Sequence, residues 1–503
     1  MNKRMISHLI AGASVAATSS LFGGTETWFT PLTESATVMS PNSTEELTAP
    51  WVSPDNISQV NIVSLRQVED AVLGAGESLV RVPGLGTGGS MFDMIAYDPS
   101  GSYLFIPHET SVGAGVTRHD IHNRKSEVLF EGDGTGVWTN DYGAFDPCRF
   151  TPNGTLWLAE EWAGEGRVIE VTNPFVDLEN GGVTNIQEVD TIANVSHEGI
   201  MFSKQYDDVV YYVDEDNSGC IYKFVMTTAG DYTAGQTFVL SVDAFAGDAS
   251  LTWNNAANSG QARTGAATWV ALTDASGTPL TSTDPFLNAG SARNGRVAAD
   301  EIDGTPYGRP EDTEVGALAN GNEVLYFTAT SEAAVYSVEI TSGTTATVRV
   351  FCSDSSTPKN LGFAGTTASL NSPDNLAQDA LGNIYVIEDA PNSSSTGGDI
   401  WFIRDTDGDG VAESIDHFLS IRADGCEATG MIFNPVNPTE FVISVQHPDS
   451  TDLTSVTDGL GDAVWMFDLS GIDNTNFVNF LDYATKYPAK ANYFAERFNL
   501  INN

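Results

Sequence analysis

Positive charge is scarce in this chain. Its 503 residues carry 22 lysines plus arginines against 67 acids, for a formal net charge of −45. Nucleic-acid binding needs a basic surface, so the charge argues against that class, and it argues against an anionic membrane surface as well. Long apolar runs are missing as well, and no stretch is long enough to span a bilayer. There are only four cysteines, Cys148, Cys220, Cys352 and Cys426, and an exported chain would permit disulfides among them. The chain also lacks a Gly-x-Ser-x-Gly elbow, a Walker loop and a His-Glu-x-x-His helix. These absences argue against a serine hydrolase, a nucleotide-triphosphate motor and a zincin. Most of the acidity reads as a solubility adaptation. An anionic substrate would be repelled at long range and could bind only where metals or an arginine reverse the sign locally.

The first residues have the pattern of an export signal. Lys3 and Arg4 form a charged region, Ile10 to Phe22 is weakly apolar, and small residues follow. A lysine stands in the first place of a twin-arginine-like pair, so either a folded-state or a general export route is open. The expected division is a signal over 1–25, a lead-in over 26–85 and one domain over 86–503. The expected location is periplasmic or extracellular.

What the chain does have is a repeat. Six stretches open on a polar or acidic residue, run as a strand, turn through Gly, Asn, Pro or Asp, and return as a strand into more acid. They begin at Asp93, Asp146, His197, Pro310, Pro373 and Glu427; the first reads DMIAYDPSGSYLFIPHE and the fifth PDNLAQDALGNIYVIED. The acids recur at intervals of roughly 50–60 residues, close to what a four-stranded blade requires. The interval from Glu215 to Glu332 is about twice as long, which places an insertion at about 226–308. The spacing predicts an all-β, six-bladed β-propeller with an insertion in one blade. Length alone would suggest about three domains, but a propeller is one closed unit.

A hairpin delivers its first and last residues to the same end. Six hairpins around one axis would gather Glu109, Glu160, Glu161, Glu198, Asp214, Glu215, Glu311, Asp374, Glu388, Asp389, Glu427 and His447. A single such acid reads as a turn residue. The set reads as a multi-cation centre, because so many carboxylates need cations to share a site. Calcium takes about six to eight oxygen ligands, so this set implies several ions. His108 and His447 could ligate or orient, or simply cap strands. Cys148 reads as a thiolate ligand, since one soft donor among carboxylates suits iron or zinc better than calcium. Cys220 and Cys352 flank strands, where a bridge could form. Arg309, in the run GRPED, would share one face of an extended segment with Glu311 and offer a planar fork to an oxyanion. Its plain alternative is an ion pair with a neighbouring acid. Separately, DTDGDGVAESID sets Asp405, Asp407, Asp409, Glu413 and Asp416 around a hairpin tip, balanced between a structural calcium loop and a solvated turn.

These residues resemble the PhoX-type alkaline phosphatases. The matching stretches are IPHE at 106–109, Cys148 with TPNGTLWLAEE at 151–161, HEG at 197–199, GRPED at 308–312, residues 372–390, and EATGMIFNP with VQHPD within 427–449. The resemblance implies an exported six-bladed propeller that hydrolyses phosphate monoesters with iron and calcium. It implies that Cys148, Glu198 and Glu311 ligate an iron pair, and that Arg309 holds the substrate phosphate. Glu109, Glu160, Glu161, Glu388 and Glu427 would then be calcium ligands. The expected partners are small phosphorylated substrates, with no nucleic acid, no membrane insertion and a monomeric chain. Two rivals remain: a calcium-only propeller hydrolase acting on phytate, phosphodiesters or lactones, and a non-enzymatic propeller stapled by calcium.

Overall fold

The computed structural model describes residues 27–39, 49–65, 91–287, 293–392, 394–448 and 460–472. The proposed signal at 1–25 and the C-terminal stretch after 472 lie outside the described residues. So does half of the lead-in.

The hairpins read from the sequence form because their turns satisfy their own backbone. Asp98 accepts the amides of Ser102 and Tyr103 at 2.7 Å each, and Asp379 accepts those of Leu381 and Asn383 at 2.9 and 3.0 Å. Acids at this end of the repeat are turn acids. The strands then bury both faces, because each sheet packs between two others. Trp157 and Trp401, 1% and 0% exposed, lie in two of these apolar layers.

Among the described residues every strand pairing is antiparallel, and helix is limited to the short Asn294–Asp300 and a single 3-10 turn at Thr330–Glu332. The innermost strands are Ala96–Tyr97, Phe145–Phe150, Ile200–Phe202, Pro310–Ala317, Pro373–Gln378 and Glu427–Phe433. Each touches the next, and the last touches the first, so the arrangement is propeller-like. No described helix is long and apolar enough to cross a membrane.

Among the described residues the strands make five sheets rather than six separate ones: three of four strands, one of five and one of nine. The nine-stranded sheet arises from the insertion. Its strand Gly265–Ala271 pairs with Gly235–Val242 on one side and with Thr345–Ser353 on the other, zipping two outer edges together. Residues 26–85 also contribute strands. Trp51–Val52 pairs with Ser414–Ile421, and Ser58–Ser64 pairs with Ala463–Asp468 as the outer strand of the last sheet. The ring is thereby tied shut by a segment that precedes its first repeat.

Trp401 couples this packing to a hydrogen bond, because its indole donates to Glu388 at 2.9 Å. Trp401→Ala should cost about 3–5 kcal/mol, from the cavity and the orphaned acceptor together. Leu361→Ala, at an exposed site, should change stability by no more than about 0.5 kcal/mol. Denaturant unfolding of the two variants checks the contrast; equal losses would mean that the indole layer is not structural.

Candidate metal centre

The same local device aims an acid at the axis in three of the sheets. Ala144, Arg309 and Ser372 have φ of 40°, 53° and 45°, in the left-handed region. Each is followed by a strand-opening residue, Phe145, Pro310 or Pro373, which pairs with Glu160, Ala329 or Glu388. The register then slips in each case, between Phe145 and Cys148, Pro310 and Thr313, and Pro373 and Leu376. A bulge leaves one residue unpaired and turns its side chain out of the ladder. The acids within these slips are Asp146, Glu311 and Asp374. Glycine brings the remaining inner strands close. A Cβ on Gly199 would lie 2.6 Å from the amide nitrogen of Thr313, and one on Gly430 would lie 2.7 Å from that of Ile95. Glu198 and Glu427 thereby reach the same ring.

The result is a continuous file of carboxylates. Asp146, Glu161 and Glu198 offer oxygens within 4.8 Å of one another; so do Glu198, Glu311 and Asp374, and so do Asp374, Asp389 and Glu427. Glu198 and Asp374 each belong to two groups. Oδ1 of Asp146 and Oδ1 of Asp374 are buried without a hydrogen-bond partner. Burial, with repulsion between neighbours, pushes the carboxyls of Asp146, Glu161, Glu198, Glu311 and Asp374 well above the usual range. Asp93, which the sequence placed only at the head of its repeat, is raised in the same way by burial, Asp146 and Glu109. These groups can ionise together only against cations. The donor set fits hard ions.

Other expected ligands are engaged elsewhere. Glu160 accepts Nε and Nη2 of Arg167 at 2.8 and 2.6 Å, with the amides of Gly143, Glu165 and Arg167 around it. Asp214 takes Nε and Nη2 of Arg296 at 2.6 Å each. Glu388 accepts the amides of Asn371 and Asp399 and the indole of Trp401. All three are the acids that end or immediately follow the second strand of their repeat. Strand alternation sends the next residue, Glu161, Glu215 or Asp389, to the other side. Glu109 is occupied partly by the indole of Trp162.

Cys148 is not in the file. Its sulfur lies 3.8 Å from the carbonyl of Phe105, in an apolar layer with Phe145 and Leu158, and burial pushes its thiol far up. No disulfide joins Cys220 and Cys352, where the sequence left a bridge open; both are buried thiols. His108 bonds Thr117 at 2.8 Å in the core, where burial lowers it to about 3. His447 donates Nδ1 to the carbonyl of Gly425 at 2.7 Å and sets Nε2 3.4 Å from Glu427. Burial opposes its charge, but Glu427 outweighs this and lifts it to about 9, so it is a charged partner of Glu427 rather than a free ligand.

Arg309 stands at the rim, its side chain 37% exposed, paired with Glu215 and, at 3.2 Å, with Glu311. It does not reach Glu311 by the extended alternation expected. A left-handed residue followed by a bulge brings the two together instead. At the hairpin tip, Asp405, Asp407 and Glu413 form a group, whereas Asp416 points into the core to Ser414 at 2.6 Å and to Thr27. Asp409 is outside the group and accepts the amide of Val411.

Two arginines were not foreseen. The short helix in the insertion carries Arg296 to Asp214 and Asp216, and Arg293 just before it donates to the carbonyls of Glu161, Ala163 and Gly164. They lie outside the repeat, so the periodicity held no signal for them. Asp93 and Asp146 did carry one, since they head their repeats as Glu311 and Asp374 nearly do.

A solved structure of PhoX from Pseudomonas fluorescens, in complex with the transition-state analogue vanadate, is similar to this chain. The TM-score is 0.59 and the identity 14%, over 89% of this chain and 98% of that one. A structural-genomics protein of unknown function from Bacteroides thetaiotaomicron is a weaker likeness, with a TM-score of 0.41 and 10% identity over 82% and 76% of the two chains. No curated protein sequence matches the chain. The family model for alkaline phosphatase PhoX matches residues 185–449, a segment that holds Glu198, Arg309, Glu311, Asp374, Glu427 and His447. The chain belongs to the PhoX alkaline phosphatase family, and is thus a phosphoric monoester hydrolase.

Proposed function

We propose that this chain is an exported, six-bladed phosphatase that releases inorganic phosphate from monoesters at a centre of iron and calcium ions on the propeller axis. The observation that carries this reading is the half-open Arg309 beside a file of buried and half-buried acids. The six innermost strands in cyclic contact support the blade count, with the nine-stranded sheet taken as two blades joined through Gly265–Ala271. The signal-like start supports export.

Asp146, Glu161, Glu198, Glu311, Asp374, Asp389 and Glu427 would hold the cations. When bound, these supply Lewis-acid neutralisation of the phosphoryl oxygens. The remaining work belongs to the chain. Arg309 keeps its charge at any working pH and offers its fork to the phosphoryl oxygens, while Glu215 and Glu311 fix its direction. His447 favours the ionised form of Glu427 from outside the file, against the larger effect of burial. Arg167, Arg293 and Arg296 fix the loops that carry Glu161 and Glu215. No serine or cysteine is needed as nucleophile, which agrees with the missing elbow motif.

Arg309→Ala should lower kcat/KM for p-nitrophenyl phosphate by about 100-fold or more and weaken inhibition by phosphate, with bound metal unchanged. Unchanged turnover and unchanged phosphate inhibition would remove Arg309 from substrate binding.

The raised carboxyls set a pH dependence. In the metal-free protein they keep protons that the unfolded chain has already lost. Their contribution is present at low pH and is lost as pH rises through the folded value, about 7 for Glu427. Chelated protein should therefore melt at falling temperature from about pH 5 to about pH 7, and added calcium should cancel that fall. Melting curves across this range check it; a slope that is the same with and without calcium would mean that the acids do not take up the ion.

A further inference from the structure

We propose that the axial centre uses oxygen donors alone, and that Asp146 fills the ligand place which the sequence suggested for Cys148. The inference rests on the cation-centre reading above and concerns which side chains compose it.

Asp146 and Cys148 are two residues apart, a spacing that keeps both side chains on one face of a regular strand. The register slip between Phe145 and Cys148 inserts one residue and breaks that phase. Cys148 then stands opposite Leu158 and shares its apolar layer. Asp146 turns out of the ladder, as Glu311 and Asp374 do at the equivalent slips. Its carboxylate is 3% exposed, Oδ1 has no hydrogen-bond partner, and a ligand oxygen lies within 4.8 Å of those of Glu161 and Glu198. An orphaned oxygen in a dry site is costly unless something positive meets it. The charged side chain that follows the cysteine, Arg149, goes elsewhere and pairs with Asp312 at 3.2 Å.

Donor chemistry follows from this. Carboxylates select hard ions, and a centre without thiolate has no particular hold on soft ones. Glu198 and Asp374, each shared between two groups, are placed to bridge neighbouring ions. Removing Asp146 should therefore empty the position it shares with Glu161 and Glu198, whereas removing the sulfur should leave every position filled.

The test uses the full chain purified with its native metals. Cations per chain are counted by elemental mass spectrometry, visible absorption is recorded, and melting is followed with and without added calcium. Cys148→Ala should keep the wild-type cation count and the calcium-induced rise in melting temperature, and no visible band should disappear with the sulfur. Asp146→Asn should lose at least one cation per chain, and Asp146→Glu should restore it. A cation lost in Cys148→Ala, or a charge-transfer band abolished by it, would overturn the proposal. A full cation count in Asp146→Asn would do the same. Should Asp146→Asn fail to fold, the Cys148→Ala counts decide alone. Turnover on the same wild-type sample separates the two readings: the expected counts without phosphatase activity support the oxygen-only centre and sink the phosphatase.

Discussion

Like charge held out of water is the constraint on which this molecule depends. Two ionised carboxylates with oxygens 4.8 Å apart repel by about 3 kcal/mol even at an effective dielectric near 20. The axis holds a file of them, with burial added. Apolar layers between the sheets keep the ring closed around this load, and the strand Ser58–Ser64 ties the last sheet. A ring of this kind gains from any cation that enters, which makes folding, ion binding and activity one linked problem.

The chain meets the constraint by treating two sets of acids differently. With 22 lysines and arginines in all, it pairs many of them with acids beside the axis rather than on it. Arg167 holds Glu160, Arg296 holds Asp214, Arg263 holds Glu332 and Arg149 holds Asp312. These pairs are buried or nearly so, and they lock loops around the centre. The acids in the file receive little such help. Arg309, touching Glu215 and Glu311 from the rim, keeps enough exposure to meet a ligand. Positive charge is thus kept beside the file and at its rim rather than within it.

The insertion takes part in this arrangement. It links two sheets edge to edge, and it carries Arg293 and Arg296 to the loops that present Glu161 and Glu215. In a sequence it looks like an interruption of the repeat. In the fold it braces one flank of the site.

The repeat, the all-β ring and the acids at its axis were legible in the sequence, because hairpin periodicity is local and the acids return in phase with it. The candidates Glu161, Glu198, Glu311, Asp374, Asp389 and Glu427 follow from that phase. Which member of an adjacent pair faces inward did not, since Glu160 and Glu161 differ only by strand alternation and by the arginine that reaches one of them. Cys148 was misplaced because a bulge, invisible in composition, shifts the face by one residue. Asp416 was drawn into the hairpin-tip loop by spacing, yet its partners are Thr27, from a distant segment outside the strands, and Arg404, from the neighbouring strand. The nine-stranded sheet and the tie through residues 58–64 depend on pairings between segments far apart in the chain. Local patterns determined the type of each element and the period of the acids; only long-range packing decided which edges meet, which acids are neutralised by arginine, and which are gathered into the file.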